Sequence, residues 1–265
     1  MTQPLEYGSE VGALDLDPHR SVWLIAHAAG ETQSLGLFER RPPESDALNA
    51  SADNDDLASH SPILSQLRLR CETVHMIPFV LTEPIETDRL TLRLMTLRDV
   101  DAVHAYHSLE EVARYQLFEP RDRSAVASKV AAWSEATPLE HDDDFLQLAV
   151  VRRSDDQLVG DLYFTVKSVE NATAELGWSF NPEFTGQGYA TEGARALMGV
   201  AFDAMQLHRV IAELDPRNKR SVNLCLRLGM RHEAHFVEDM MFKGEWADTG
   251  VYALLAREWR ERNAA

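Results

Sequence analysis

The chain is short of positive charge. Against 43 Asp and Glu stand 26 Lys and Arg, giving a formal net charge of −17 over 265 residues. A nucleic-acid backbone is disfavoured as a partner on electrostatic grounds, while cationic amines would be drawn to such a surface. Cysteine is scarcer still, and the two present, Cys71 and Cys225, lie far apart and fit neither a disulfide framework nor a metal site. No run of about 18 apolar residues is available to span a bilayer, and the first residues lack the basic region and apolar core of a secretion signal. These absences imply a cytoplasmic protein in a reducing compartment that does not enter a membrane. His208, His232 and His235 lack ligand spacing, so no metal is expected.

Hydrophobic residues make up 45% of the chain, enough for a globular protein with a sizeable core. They are unevenly distributed. Residues 1–80 carry 12 acidic and 5 basic side chains, and residues 40–60 are rich in Pro, Ser, Asp, Asn and Ala, as linkers and unfolded segments are. Only residues 21–26 look like a strand there, and 63–69 like a short helix or strand. Residues 1–80 are therefore expected to be an extension, disordered or loosely packed; a small appendage on the following domain is the other reading, and Met76 would make a plausible start.

From Thr87 the pattern becomes regular. Residues 89–95 alternate apolar and polar as a half-buried strand does, and 100–115 and 124–136 carry helical spacing. An acidic run, 140–144, reads as a solvated turn. Residues 145–152 and 157–166 read as a hairpin turning at Ser154-Asp-Asp156, and 172–180 as the next strand. A helix over 191–205, a strand over 210–214, a helix over 221–228 stopped by Gly229, and a hairpin of 236–242 with 249–257 complete the chain. Antiparallel strands followed by strand-helix-strand-helix imply an α+β (mixed α/β) domain over 81–265. Its sheet should be central, mixed and mostly antiparallel, with six or seven strands and helices on both faces.

The distinctive stretch is Asn181-Pro-Glu-Phe-Thr-Gly-Gln-Gly-Tyr-Ala-Thr-Glu192, where Gly186-x-Gly188 joins a strand to a helix. Glycine removes the Cβ, so backbone N–H groups approach an anion closely, and the first N–H groups of the helix point to the same place. No Lys-Ser/Thr follows, which excludes a nucleotide-hydrolase P-loop. The third glycine of a dinucleotide fingerprint is missing too. On the glycines alone, an ordinary tight turn remains open.

Further motifs follow in order: Glu175-Leu-Gly-Trp-Ser-Phe180, Leu207-His-Arg-Val210, Asp215-Pro-Arg-Asn218, Ser221, Leu228-Gly-Met230, Lys243-Gly-x-Trp246-x-Asp248 and Tyr252-Ala-Leu-Leu255. With the glycine turn they resemble the RimJ/RimL-like branch of the GNAT superfamily of N-acetyltransferases, over about residues 85–259. The resemblance implies acetyl-CoA as co-substrate and an amine, of a peptide N-terminus or a small molecule, as acceptor, in a monomer or homodimer. It also implies site residues. Backbone of Trp178 and Phe180 would bond the pantetheine arm, with the Trp178 N–H aimed at the thioester carbonyl. Gly186, Gln187, Gly188, Tyr189, Ala190 and Thr191 would cradle the pyrophosphate, and Asn218 would contact the arm. One departure is Glu183, where the superfamily often has Gln or Arg three residues before the first glycine.

Glu175 is the candidate general base and Ser221 the candidate acid for the leaving thiolate. Each has a plain structural reading as well: an exposed strand residue for Glu175, and a helix N-cap for Ser221 or Asn218. Glu192 is better explained by the helix dipole than by catalysis. Cys225 should be core, and Trp246 and Asp248 either steady the hairpin or face the acceptor. The acceptor-facing loops are expected around 114–124 and 236–246. A polyamine, amino acid or aminoglycoside acceptor, or a non-catalytic acyl-CoA-binding module, are the alternative readings of the whole.

Overall fold

The computed structural model describes residues 78–135 and 138–264. The expectations for 21–26, 40–60 and 63–69, and Cys71, lie outside the described residues. The described chain runs β1 (Ile85–Glu86), β2 (Leu90–Leu94), α1 (Val100–His107), α2 (Glu110–Ala113), α3 (Arg123–Trp133), β3 (Phe145–Arg152), β4 (Gln157–Ser168), β5 (Thr173–Phe180), α4 (Tyr189–Gly199), β6 (Arg209–Leu214), α5 (Lys219–Leu228), β7 (Arg231–Phe242), β8 (Glu245–Leu255) and α6 (Ala256–Asn263).

The strands form one 8-stranded sheet in the order β1-β2-β3-β4-β5-β6-β8-β7. Every neighbouring pair is antiparallel except β5 and β6, which run parallel. All seven strands read from the sequence within 81–265 are present. The eighth, β1, is two residues long and pairs Ile85 with Leu92, too short to leave a periodic signal.

Alternation along the strands splits the core in two. Leu146, Leu148 and Val150 of β3 pack with Ala194, Leu197 and Met198 of α4, Leu224, Cys225 and Leu228 of α5, and Trp259 of α6. Ala149 and Val151, one residue out of phase, pack on the other face with Val103 and Tyr106 of α1 and Val126 and Val130 of α3. Helices thus cover both faces, as expected.

Several boundaries differ from the sequence reading: the final hairpin begins earlier on both strands, at Arg231 and Glu245, and α5 begins at Lys219. The helix expected over 100–115 is broken at Leu109, whose φ −85 and ψ 128 are extended, so α2 starts afresh. The helix expected over 191–205 begins two residues earlier, at Tyr189, and its last turn widens to π geometry over Val200–Ala204. The last strand ends at Leu255, not at Arg257. There the Leu255 N–H donates to Glu258 Oε2 (2.9 Å), and that side-chain cap starts α6. The acidic turn is more ordered than its composition suggests: Asp144 accepts from the N–H groups of Glu140 and His141, and Asp142 from that of Val169.

Candidate active site

β5 and β6 pair only where Thr173 faces Arg209, Ala174 faces Val210 and Glu175 faces Ile211. β5 nevertheless stays on β4 as far as Phe180 opposite Gly160, and β6 stays on β8 as far as Leu214 opposite Gly250. The two strands therefore part beyond Glu175 and leave an edge inside the sheet. Backbone direction on that edge follows from alternation: the Asn181 N–H donates to Val159 of the β4 side (3.0 Å), whereas the Ala172 carbonyl accepts from Arg209 on the β6 side. Even-numbered residues of β5 thus turn their peptide groups toward β6, and at Trp178 and Phe180 they turn them into the gap. An extended molecule with amide groups can bond there as a strand would.

The gap runs into the glycine turn. Gly186 and Gly188 have φ of 82° and 83°, a region that costs an L side chain about 1–2 kcal/mol, and Gly188 is the N-cap of α4. The N–H groups of Tyr189, Ala190 and Thr191 occupy the first turn of α4, where an α-helix offers them no carbonyl. Arg89 braces the turn from behind. Its Nη1 donates to the Gln187 carbonyl (3.0 Å) and its Nε to Glu192 (2.7 Å), and its guanidinium lies 4.9 Å from the Tyr189 ring centre. Glu192 also accepts from the Thr87 hydroxyl and the Arg89 N–H, so it fastens α4 to the start of β2, a structural role as expected. Burial opposes its charge, yet these bonds hold the carboxyl below the usual glutamate range. The Tyr189 side chain is buried and Gln187 and Gly188 are exposed, so what the turn offers a phosphate is backbone. Glu183 is exposed, its N–H bonded to Asn181 Oδ1, and it supplies no cation.

At the vertex of the gap stands Glu175, on the face opposite Trp178, with its side chain 19% exposed and Lys167 Nζ 3.2 Å from Oε2. Burial raises the Glu175 carboxyl above its ordinary value; Lys167 pulls it down and Glu213 pushes it up. The result is a carboxylate that takes a proton more readily than a surface glutamate does.

Across the gap, on the side of α4 and α5, Asn218 is the N-cap of α5 and accepts the Ser221 N–H on Oδ1 (3.2 Å). The capping role of Asn218 is thus real. Ser221 sits one turn in, not at the cap, and its Oγ lies 3.1 Å from Trp178 Nε1. Cys225 is fully buried, and burial pushes its thiol up to about 12, which makes it an inert core residue as expected.

The two loops expected to face the acceptor do meet. Lys243, at the tip of the β7–β8 hairpin, donates to the carbonyls of Ala113 (2.9 Å) and Phe118 (2.8 Å). From the same loop Gln116 Nε2 donates to the Trp178 carbonyl in the gap (3.1 Å). Asp248 accepts from the Glu238 N–H and from His235, so it steadies the hairpin, whereas Trp246 is exposed. Gln116 and Lys167 were not singled out from the sequence: nothing local marks either one, because their importance comes from where β5 leaves β6.

A buried polar hub holds α1 under this loop. Asp161 of β4, 2% exposed, accepts from the Tyr106 hydroxyl, from His107 Nε2 (3.0 Å) and from Gln147 Nε2 (2.5 Å). Arg121 completes it, with Nη1 3.2 Å from His107 Nδ1 and its guanidinium 3.9 Å above the Phe118 ring. Since arginine only donates, His107 Nδ1 accepts and Nε2 carries the proton given to Asp161. Among the described residues no three His, Cys, Asp or Glu side chains converge on a metal position.

A parted parallel strand pair whose open edge ends in a glycine turn and a helix N-terminus can hold an extended ligand that carries amide groups and a phosphate. Comparison with known proteins makes the class particular. Residues 89–231 match the acetyltransferase (GNAT) domain family, and the chain belongs to that family. The uncharacterized N-acetyltransferase YnaD of Bacillus subtilis strain 168 is 34% identical over 178 residues, 66% of this chain and 98% of that protein. The [ribosomal protein uS5]-alanine N-acetyltransferase of Escherichia coli strain K12 is 31% identical over 84 residues, 32% of this chain and 43% of that one. Among solved structures, a GNAT-family acetyltransferase from Bacillus anthracis superposes with a TM-score of 0.60 at 31% identity, covering 66% of this chain and 100% of its own. The chain is accordingly a transferase of acyl groups to nitrogen.

Proposed function

We propose that the chain transfers acetyl from acetyl-CoA to a protein N-terminal amine by direct attack, with no covalent enzyme intermediate. The observation that carries the reading is the parting of β5 from β6 at Glu175, which sets a half-buried, proton-seeking carboxylate beside an open row of peptide groups. Acetyl-CoA supplies the activated acyl group. The Trp178 and Phe180 backbone holds the arm, backbone N–H groups from Gly186 to Thr191 hold the pyrophosphate, and the Asn218 amide meets the arm near α5. The Trp178 N–H faces the thioester oxygen, where charge develops as the amine attacks; one such donor is worth roughly 3 kcal/mol. Glu175 accepts the amine's proton as the C–N bond forms. When the C–S bond breaks, Ser221 gives its hydroxyl proton to sulfur and regains one from water.

An α-amine fits this base. Its reference pKa is about 8 against about 10.4 for lysine, so a carboxylate whose proton affinity burial has raised has far less to do. The match with the uS5-alanine N-acetyltransferase supports the same acceptor.

The test is thiol release from acetyl-CoA by the purified full chain against peptides with free N-termini, polyamines, amino acids and aminoglycosides. Turnover on peptides, abolished by N-terminal blocking, is expected. Turnover on a small amine alone would replace the acceptor assignment, and acetyl-CoA binding without turnover on any acceptor would overturn the catalytic reading.

A further inference from the structure

We infer that the Trp178 side chain positions the Ser221 hydroxyl as the proton donor to the leaving thiolate. The inference rests on the proposed role of Ser221 and adds to it a residue whose backbone alone has so far carried function.

The indole Nε1–H can only donate, so the 3.1 Å contact with Ser221 Oγ has one possible direction, and Ser221 accepts. That bond takes one Oγ lone pair and keeps the hydroxyl hydrogen off the indole. The usual partners of a helical serine hydroxyl are engaged elsewhere or lie outside the helix. The Ser221 N–H already uses Asn218 Oδ1. Ser221 is the third residue of α5, so the carbonyl four residues back, where helical serines usually donate, belongs to Arg217 outside the helix. Among the described residues the hydroxyl hydrogen has no bonded acceptor, and Ser221 is half-buried at the gap. A hydroxyl that accepts a hydrogen bond also gives up its own proton more easily, because the donor stabilises the oxygen left behind.

Trp178 is well placed to impose this. It is held on β4 opposite Leu162, it packs against the core beneath α4 and α5, and its ring crosses from β5 to the first turn of α5. Its peptide group opens into the gap at the same point. One residue thus references both the acyl carbon and the leaving sulfur. The proton moves from Ser221 Oγ to the departing sulfur and is replaced from solvent; the indole keeps its own.

The experiment is a double-mutant cycle on the full chain with the acceptor found active: Trp178→Phe, Ser221→Ala and both together, reading kcat at saturating acetyl-CoA and, separately, acetyl-CoA affinity. Trp178→Phe is expected to lower kcat about tenfold, the scale of one hydrogen bond, with affinity within about twofold. In the Ser221→Ala background the same change is expected to do nothing further to kcat. An equal loss in both backgrounds would overturn the inference while leaving Ser221 its role, since the tryptophan would then act through packing. No loss from Ser221→Ala alone would remove both. Because phenylalanine leaves a void, a second variant replaces the Trp178 indole by benzothiophene, which keeps the shape and lacks only the N–H. Wild-type kcat in that variant would also overturn the inference.

Discussion

Replacing Glu175 by Gln removes the proposed proton acceptor while keeping the size of the side chain, and the site fixes how large the loss should be. Lys167 at 3.2 Å loses its ion-pair partner, but Glu213 and Asp143 also act on it, so the charge is not stranded. Catalysis then draws only on amine that is already neutral. At pH 7 that is about 10% of an α-amine and about 0.04% of a lysine amine, from reference pKa values of about 8 and 10.4. Glu175→Gln should therefore cost about tenfold in kcat/KM for a peptide N-terminus, and about a thousandfold or more were the acceptor a lysine. The pH dependence has a definite sign. The working form of Glu175 is the carboxylate, and burial raises its pKa. Wild-type activity should thus fall as pH drops through that raised value, at higher pH than an exposed glutamate would give. The variant should lose this limb and climb with pH until the amine itself is neutral, regaining most of the deficit by about pH 9. Initial rates of thiol release across about pH 5 to 9, with acetyl-CoA affinity measured alongside, decide it. A variant whose profile superposes on the wild type would show that Glu175 is not the base.

Other perturbations reach different parts of the molecule. Asp161→Ala leaves three buried donors from Tyr106, His107 and Gln147 without an acceptor and should lower stability by about 3 kcal/mol or more in urea unfolding; a change below about 1 kcal/mol would show that the hub is dispensable. Gly188→Ala meets no steric block, its Cβ lying 3.5 Å from Arg89 Nη2, so its cost should be the left-handed φ alone, about 1–2 kcal/mol, with weaker acetyl-CoA binding; unchanged stability and affinity would mean the turn adapts freely. Gln116→Ala frees the Trp178 carbonyl and should tighten acetyl-CoA binding about two- to fivefold by calorimetry, the scale of a neutral hydrogen bond; weaker binding would mean the Gln116 amide assists the arm instead of competing with it.

Much of this was legible in the sequence where the chemistry is local. Both glycines of Gly186-x-Gly188 take the left-handed φ that made them informative, and the strand expected at 145–152 has those same ends. Local patterns misled where a neighbour decides. The apolar run through Leu254 and Leu255 continues into Ala256 without a break, and only the Glu258 carboxylate bonding back to the Leu255 N–H ends the strand. Leu109 carries apolar helical spacing yet is extended. What the sequence could not show is what tertiary parting brings together: no spacing links Asp161 to Tyr106, His107 and Gln147, Gln116 to Trp178, or Trp178 to Ser221.

The internal edge left by β5 has a consequence for how such a protein changes over time. On the proposed reading, recognition of the acyl carrier by peptide groups asks little of side-chain identity, provided the strand still parts and the turn still bends. Residues on the acceptor face, including the hairpin tip and the loop that Lys243 ties to it, can then drift without forfeiting the carrier. A relative sharing 34% of its residues over the same span is compatible with that division, in which one half of the reaction is inherited through the backbone and the other stays open to retargeting.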